Sequence, residues 1–382
     1  MKIIADQQIT CARQAFSELG EVVLTDGRVI DPELLQDGDV LLVRSVTRVD
    51  ESLLQNSPVK FIASATSGTD HIDLEYLKQV NIGFAYAAGC NARSVAEYVL
   101  SSLFIIAGHQ GFNLQDKTVG IIGCGEVGSR VLNFLTTIGV NCLVNDPPLH
   151  EQTGNDLYTD ISNILDADII TLHVPLVIDG QHPTRHLVDE SFLAKIKRDC
   201  ILINTSRGDV IDQKSLKKHI KDNPDCVLVM DVWSDEPNID LELLSHAFIG
   251  TPHIAGYSLD GKLKATLKIA QLVYKHFNAD LAWCIPFQNF QSECRQIDIT
   301  DNMDMHDAVM LTVLRHYDTR SDAAPLKRLN VINENERAAY FDSLRKNYPV
   351  RREFPATTVQ LNSETKQLAE IYEQLGFQVQ IQ

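Results

Sequence analysis

Basic residues are in deficit: 34 Lys and Arg stand against 51 Asp and Glu, a formal net charge of −17. A chain this acidic repels nucleic-acid phosphates and anionic lipid overall, so neither is an expected partner. An anionic small molecule would have to be held by a local cluster of Arg, Lys and backbone N–H groups. Long apolar runs are also missing. The longest, Tyr98 to Gly108, falls short of the roughly 20 residues that cross a bilayer and contains Ser101 and Ser102. The first residues meet Asp6 before a signal-peptide core can form, which predicts no leader. None of the eight cysteines forms a C-x-x-C pair. That argues against a zinc site or a disulfide framework and predicts no metal and a reducing, cytoplasmic setting. No repeat of period 20–50 is visible.

What is present is ordinary globular composition: 382 residues, 44% hydrophobic, enough for two or three domains of about 100–200 residues each. Short apolar runs alternate with helical patterns from the start. Lys2–Ala5, Val22–Thr25, Val40–Arg44, Phe61–Ala65 and Gly83–Tyr86 read as strands. A second series reads Thr118–Ile122, Asn141–Asn145, Asp168–His173, Cys200–Asn204, Cys226–Asp231 and Phe248–Gly250. Strands that alternate with helices imply parallel sheets with crossover helices. Two long helices are expected, from Ser94 to about Gly108 and over Gly261–Asn278. Ala282–Ile297 reads as a linker. The last block is expected to carry a charged helix around Leu326–Tyr348, then strand, helix and strand at Thr358–Leu361, Glu364–Leu375 and Gln378–Ile381.

The most informative pattern is Gly123-Cys-Gly125-Glu-Val-Gly128, between a predicted strand and a predicted helix. Gly123 permits the tight turn, Gly125 lets the backbone approach a pyrophosphate, and Gly128 permits close helix–strand packing. The helix N-terminus supplies N–H groups and a positive dipole. Asp146 ends the next strand at the spacing of a ribose-binding acid, which favours NAD over NADP by repelling a 2′-phosphate. Further along, Arg207, the Asp231–Pro237 run and Thr251-Pro-His253 all follow predicted strands. The C-terminal ends of parallel strands gather at one rim, where ligands bind. An Arg there would anchor a carboxylate through paired bonds. A His would take a hydroxyl proton, and a carboxylate would orient the imidazole and stabilise its charged form.

Taken in order, Gly123–Gly128, Asn204–Gly208, Asp231–Pro237 and Thr251–Tyr257 resemble the D-isomer-specific 2-hydroxyacid dehydrogenases. Ser67-Gly-Thr-Asp70-His-Ile-Asp73 and Asn91-Ala-Arg-Ser-Val-Ala-Glu97 fit the same family. Val43-Arg-Ser45-Val-Thr, Asp318–Lys327 and Phe341–Glu353 are similar to a branch of that family with an added C-terminal block. The resemblance implies two Rossmann-like, doubly wound α/β domains plus a small C-terminal α+β dimerisation domain. Its expected bounds are residues 1–93 with 258–285 for substrate, 94–257 for NAD and 286–382 for dimerisation.

The resemblance also implies roles. Arg207, Glu236 and His253 would be catalytic. Gly123, Gly125, Gly128, Asp146, Val174, Thr205, Asp231 and Gly256 would hold NAD. Ser45, Thr66 and Tyr257 would touch substrate, a small anionic phosphorylated 2-hydroxy acid, in a homodimer. Val174 stands where relatives more often carry Thr, so only its backbone could serve NAD. Two rival readings keep the fold: a dehydrogenase of the 3-phosphoglycerate or glyoxylate type, and an NAD-sensing regulator. The basic cluster Arg345, Lys346, Arg351 and Arg352 is expected either on a solvated helix face or at a partner's active site.

Overall fold

Runs of β-branched and aliphatic residues four or five long, bounded by turn residues, are short enough to be strands and apolar enough to be buried on both faces, which parallel sheets require. In the computed structural model, which describes residues 1–299 and 303–382, they form such sheets. The chain divides into two compact units, residues 1–91 with 258–292, and residues 92–257 with 293–382.

The first unit holds five parallel strands, β1 (Lys2–Asp6), β2 (Glu21–Thr25), β3 (Val40–Val43), β4 (Phe61–Ser64) and β5 (Gly83–Tyr86), in the order β2-β1-β3-β4-β5. Helix Leu259–His276 returns to it from far along the chain and buries Ala265, Ile269, Val273 and Tyr274 against the sheet core.

The second unit holds β6 (Thr118–Ile122), β7 (Asn141–Asn145), β8 (Ile169–Leu172), β9 (Ile201–Asn204), β10 (Val227–Met230) and β11 (Ala247–Gly250). All are parallel, in the order β11-β10-β9-β8-β6-β7. The order reverses between β6 and β8, so the crevice for a ligand lies beyond the carboxyl ends of those two strands.

The C-terminal block adds a small parallel sheet, β12 (Arg295–Ile299), β13 (Thr357–Leu361) and β14 (Gln378–Ile381), with β13 in the middle. Three expectations fail here. The end of the supposed linker is β12. A helix at Met305–His316 was not foreseen. The helix expected over Leu326–Tyr348 is confined to Glu334–Lys346; before it come a 3-10 turn at Lys327–Val331 and a separate helix, Arg320–Leu326. The run Asn330-Val-Ile-Asn333 has poor helix propensity, and Ile332 is extended at φ −86°, ψ 141°.

The block does not stand apart. Its Ile297, Val309, Val313, Phe354, Val359, Leu375 and Phe377 share one continuous core with Val131, Phe134 and Leu135 of the helix that follows β6. Phe354 stacks on Phe377 at 4.2 Å and on Phe134 at 5.7 Å between ring centroids. Much of the apolar face that the sequence leaves in need of a partner is therefore covered within the same chain.

Candidate active site

The loop after β6 is shaped by its glycines. Gly123 has φ +88°, a conformation open to glycine at little cost, and a Cβ there would press on the His173 backbone and the Val174 side chain at 2.8–2.9 Å. The loops after β6 and β8 thus touch. A Cβ on Gly128 would overlap the Gly123 carbonyl, so the new helix starts directly against the turn. A Cβ on Gly125, by contrast, would meet nothing within 4 Å. This is the arrangement a dinucleotide needs: two tight positions that fix the turn and one open position where a pyrophosphate can approach backbone.

Asp146 ties this loop to the next strand. One carboxylate oxygen accepts from the Cys124 N–H at 2.7 Å, and the other caps helix Pro147–Thr153 through the Leu149 N–H at 3.0 Å. Each oxygen keeps a further lone pair for a ribose hydroxyl. Val174 follows β8, half-buried and without a hydroxyl. Thr205 follows β9, where its Oγ1 lies 3.2 Å from Nδ1 of His173; the other ring nitrogen of His173 lies 2.9 Å from Thr171 Oγ1. Burial pushes the His173 pKa down to about 3, so this imidazole is neutral at physiological pH.

Asp231 is 1% exposed and organises the loop after β11. Its carboxylate accepts from Thr251 Oγ1 and the Ile254 N–H, both at 2.7 Å, and from the Ala255 N–H at 3.0 Å. Its carbonyl accepts from the His253 N–H at 2.7 Å. Burial raises the Asp231 pKa, although the His253 charge and these hydrogen bonds act against the rise. Tyr98, from the long helix Ala92–Gln110, and Trp233 hold Thr251 from two sides, at 2.8 and 2.9 Å. Asp231, expected among the NAD contacts, also sets the position of His253 through these bonds to the Thr251 hydroxyl and the loop backbone. Gly256 ends the same loop, half-exposed.

His253 sits in the left-handed region, φ +57°, which histidine tolerates better than most residues but still at a cost on the order of 1 kcal/mol or more. That conformation carries the ring to Glu236: Nδ1 and Oε2 are 2.8 Å apart. The other oxygen of Glu236 accepts from the Trp233 N–H at 2.9 Å. Burial works to raise the Glu236 pKa, but the His253 charge and the two hydrogen bonds outweigh it and bring the carboxyl below its ordinary value. With Nδ1 engaged, Nε2 is the nitrogen left for a substrate. Side-chain exposure is 35% for His253, enough for contact with one.

Arg207 joins this pair through a glycine. A Cβ on Gly208 would fall on the Trp233–Ser234 backbone, so the turn after β9 rests directly on the segment leading to Glu236. Arg207 Nη1 donates to the Ser206 carbonyl at 2.8 Å. Tyr257 completes the group, its ring edge-on to Tyr348 with centroids 5.7 Å apart. The loops of the second unit thus bring Arg207, Glu236 and His253 to one rim. Ser45 and Thr66 belong to the first unit. Ser45 is exposed at the end of β3, and Thr66 Oγ1 follows β4, 2.6 Å from Ser64 Oγ and 2.7 Å from the Gly68 carbonyl.

The basic cluster splits. Arg351 is 7% exposed, neither solvated nor turned outward. Its Nη atoms donate to the Ala255 and Ser94 carbonyls at 3.1 and 2.6 Å, and the guanidinium lies 3.6 Å over the Tyr317 ring. Arg345 points elsewhere, toward Tyr257. Sequence reasoning missed Tyr98, Trp233 and His173 as supports; a lone tyrosine hydroxyl within an apolar helix was the one available signal. Among the described residues no group of His, Cys, Asp and Glu could hold a metal, and no helix is long and apolar enough to cross a membrane.

Comparison with known proteins agrees with this geometry. Residues 98–255 match the family described as D-isomer specific 2-hydroxyacid dehydrogenase, NAD binding domain, and residues 290–376 match a domain of unknown function. An erythronate-4-phosphate dehydrogenase of Hahella chejuensis is 41% identical over 99% of both chains, and one of Klebsiella pneumoniae is 41% identical over 99% of this chain and 98% of its own. Among solved structures, an NAD-bound 3-phosphoglycerate dehydrogenase of Entamoeba histolytica aligns at a TM-score of 0.62 with 25% identity, covering 73% of this chain and 95% of its own. The fold is shared as well by a formate dehydrogenase of Staphylococcus aureus in complex with NAD, at a TM-score of 0.61.

Proposed function

Because the chain belongs to the erythronate-4-phosphate dehydrogenase family, within the D-isomer-specific 2-hydroxyacid dehydrogenases, we propose that it oxidises 4-phospho-D-erythronate at C2 to 2-oxo-3-hydroxy-4-phosphobutanoate. The step belongs to pyridoxal 5′-phosphate (vitamin B6) biosynthesis. The protein is an NAD-dependent oxidoreductase. The observation that carries the reading of the site is the 2.8 Å contact between Glu236 and Nδ1 of His253, which leaves Nε2 for the substrate.

Gly123, Gly125 and Gly128 would hold the dinucleotide's pyrophosphate, Asp146 the ribose, and the backbone at Val174, Thr205 and Gly256 the nicotinamide half. Bound there, NAD would supply the hydride acceptor for the C2 position. Arg207 anchors the substrate carboxylate through its planar guanidinium. His253 takes the C2 hydroxyl proton on Nε2 as the carbonyl forms. Glu236 holds the ring in the tautomer with the proton on Nδ1, then faces the imidazolium with a full negative charge. Asp231 acts one step back, by fixing the backbone that carries His253. Ser45, Thr66 and Tyr257 contribute substrate contacts, and the residues 1–93 with 258–285, 94–257 and 286–382 serve substrate, NAD and dimer formation.

A homodimer is supported by apolar side chains left exposed on the C-terminal block, Val331 at 84%, Val350 at 58% and Ile381 at 57%. Light scattering should give twice the 42.7 kDa chain mass. For the reaction, the purified protein with NAD should reduce the nicotinamide faster with 4-phospho-D-erythronate than with 3-phosphoglycerate or glycolate. Preference for either of the latter would overturn the substrate assignment.

A further inference from the structure

None of the steps above uses the basic cluster of the C-terminal block, and one of its cations lies beside the catalytic loops. Arg345 lies in the last turn of helix Glu334–Lys346. Its guanidinium carbon is 5.9 Å from the centroid of the Tyr257 ring. It lies close enough to Glu236 for their charges to attract, and close enough to Tyr257 to share a hydrogen bond. So a residue some 90 positions beyond the catalytic loops reaches the reacting group within the same chain.

Two features separate it from an ordinary structural arginine. Its Nε is buried with no hydrogen-bond partner among the described residues. A buried N–H left unpaired is costly, and such a group is completed by water, an ion or a bound molecule. The ring it approaches, Tyr257, is also held in place. Tyr348 packs edge-on against Tyr257 and donates to Asp322 at 2.7 Å, and Asp322 accepts from Tyr317 as well. Arg351 offers the contrast: it too has an unpaired Nε, but both its Nη atoms are taken by backbone and its face is covered by Tyr317.

Of the carboxylates near Arg345, Asp342 lies on its own helix, and Glu236, in the catalytic loops, is already paired with His253. The substrate read above brings two anionic ends, and Arg207 accounts for one. We propose that Arg345 is a specificity-determining residue that binds the phosphate of the substrate, so that the C-terminal block supplies part of the substrate site of its own chain. This rests on the reading of the site as that of a phosphorylated 2-hydroxy acid dehydrogenase. It does not depend on which phosphorylated acid is used.

The test compares substrates in pairs, each with and without its phosphate: 4-phospho-D-erythronate with erythronate, and 3-phosphoglycerate with glycerate. In R345M, kcat/KM for the phosphorylated member of the preferred pair should fall roughly 10- to 100-fold, mostly through KM, and far less for its partner. The preference for phosphate then collapses. R345K keeps the charge and guards against a folding defect; it should recover part of the preference, because a single ammonium cannot present a planar fork. NAD affinity, read by fluorescence titration, confirms that each variant is folded. Equal losses on both members of a pair, through kcat and with a shifted pH profile, would make Arg345 a positioning residue for Glu236 and overturn the proposal. If wild type favours the glycerate pair, the erythronate reading fails while Arg345 is judged on that pair. If wild type shows no preference for phosphate in either pair, the Arg345 assignment falls.

Discussion

Two sets of charged residues lie within the larger unit, and they are held in opposite ways. At the rim of the six-stranded sheet, Glu236 and His253 keep side-chain exposures of 19% and 35%. Each is fixed by a few bonds that leave one valence facing outward. Where the long helix Ala92–Gln110 meets the C-terminal block, Arg351 and Glu97 are 5% and 0% exposed and 3.7 Å apart. Glu97 also accepts from the Phe354 N–H at 2.8 Å, and Glu353 accepts from Ser94 at 2.9 Å. The first set pays in backbone strain for reactivity. The second is bound into the protein interior, where its charges can do little except define how the block sits on the helix. A reacting charge needs a partner that positions it and an opening; an interior charge needs nearby partners that offset the loss of water.

Substitutions can separate the two sets. His253→Asn should cost the most activity, roughly 10²- to 10⁴-fold in kcat, because no side chain remains to take the proton. Stability should move by less than about 0.5 kcal/mol, since asparagine tolerates the left-handed backbone and the site is half-open. Steady-state kinetics and urea unfolding measure both, and a large loss of stability would blur the contrast.

Arg351→Met should do the reverse. It leaves the Ser94 and Ala255 carbonyls without their donor and, above the Glu97 pKa of about 8, an unpaired carboxylate in the interior, and should cost about 3–5 kcal/mol of stability. Turnover per folded molecule should change far less than in His253→Asn. Urea unfolding checks the first figure and kinetics at low temperature the second.

Glu97→Gln should give the smallest effect, visible in pH dependence. Burial, with repulsion from Glu353, raises the Glu97 pKa to about 8. A group whose pKa is raised on folding favours the native state while protonated. Its contribution is full below the unfolded value near 4.3 and is lost as pH rises through about 8. Wild type should therefore lose melting temperature across that window, and the glutamine variant should lose less. Parallel curves would show that Glu97 does not titrate in the folded protein.

The sequence made the rim legible and the interior set obscure, for a physical reason. Gly123, Gly125 and Gly128 act through local backbone geometry, so their spacing carries the message. Arg207, Glu236 and His253 lie at the ends of strands whose apolar runs can be counted. Arg351 and Arg345 stand in a polar stretch where nothing local tells a buried guanidinium from a solvated one; their partners Ser94, Glu97 and Tyr257 are distant in sequence. The same blindness started the expected helix too early, at Leu326, across Asn330–Asn333, where helix propensity is poor. Asp231 shows a subtler limit. Its place at the end of β10 marked it for function, but only the fold shows its carboxylate gripping the loop that carries His253.

The stacked rings of Phe134, Phe354 and Phe377 bear on how such a chain could change over generations. The solved relative from Entamoeba aligns along 95% of itself but leaves about a quarter of this chain unmatched, a share the size of the C-terminal block. An ancestor without that block would have presented a water-compatible face on the helix after β6. With Val131, Phe134 and Leu135 apolar beneath the block, its loss would be hard to tolerate. A descendant that discarded residues 293–382 would uncover a greasy helix on its nucleotide-binding sheet and aggregate before selection could weigh its catalysis. The surface the block covers is by itself a reason for such a chain to keep it.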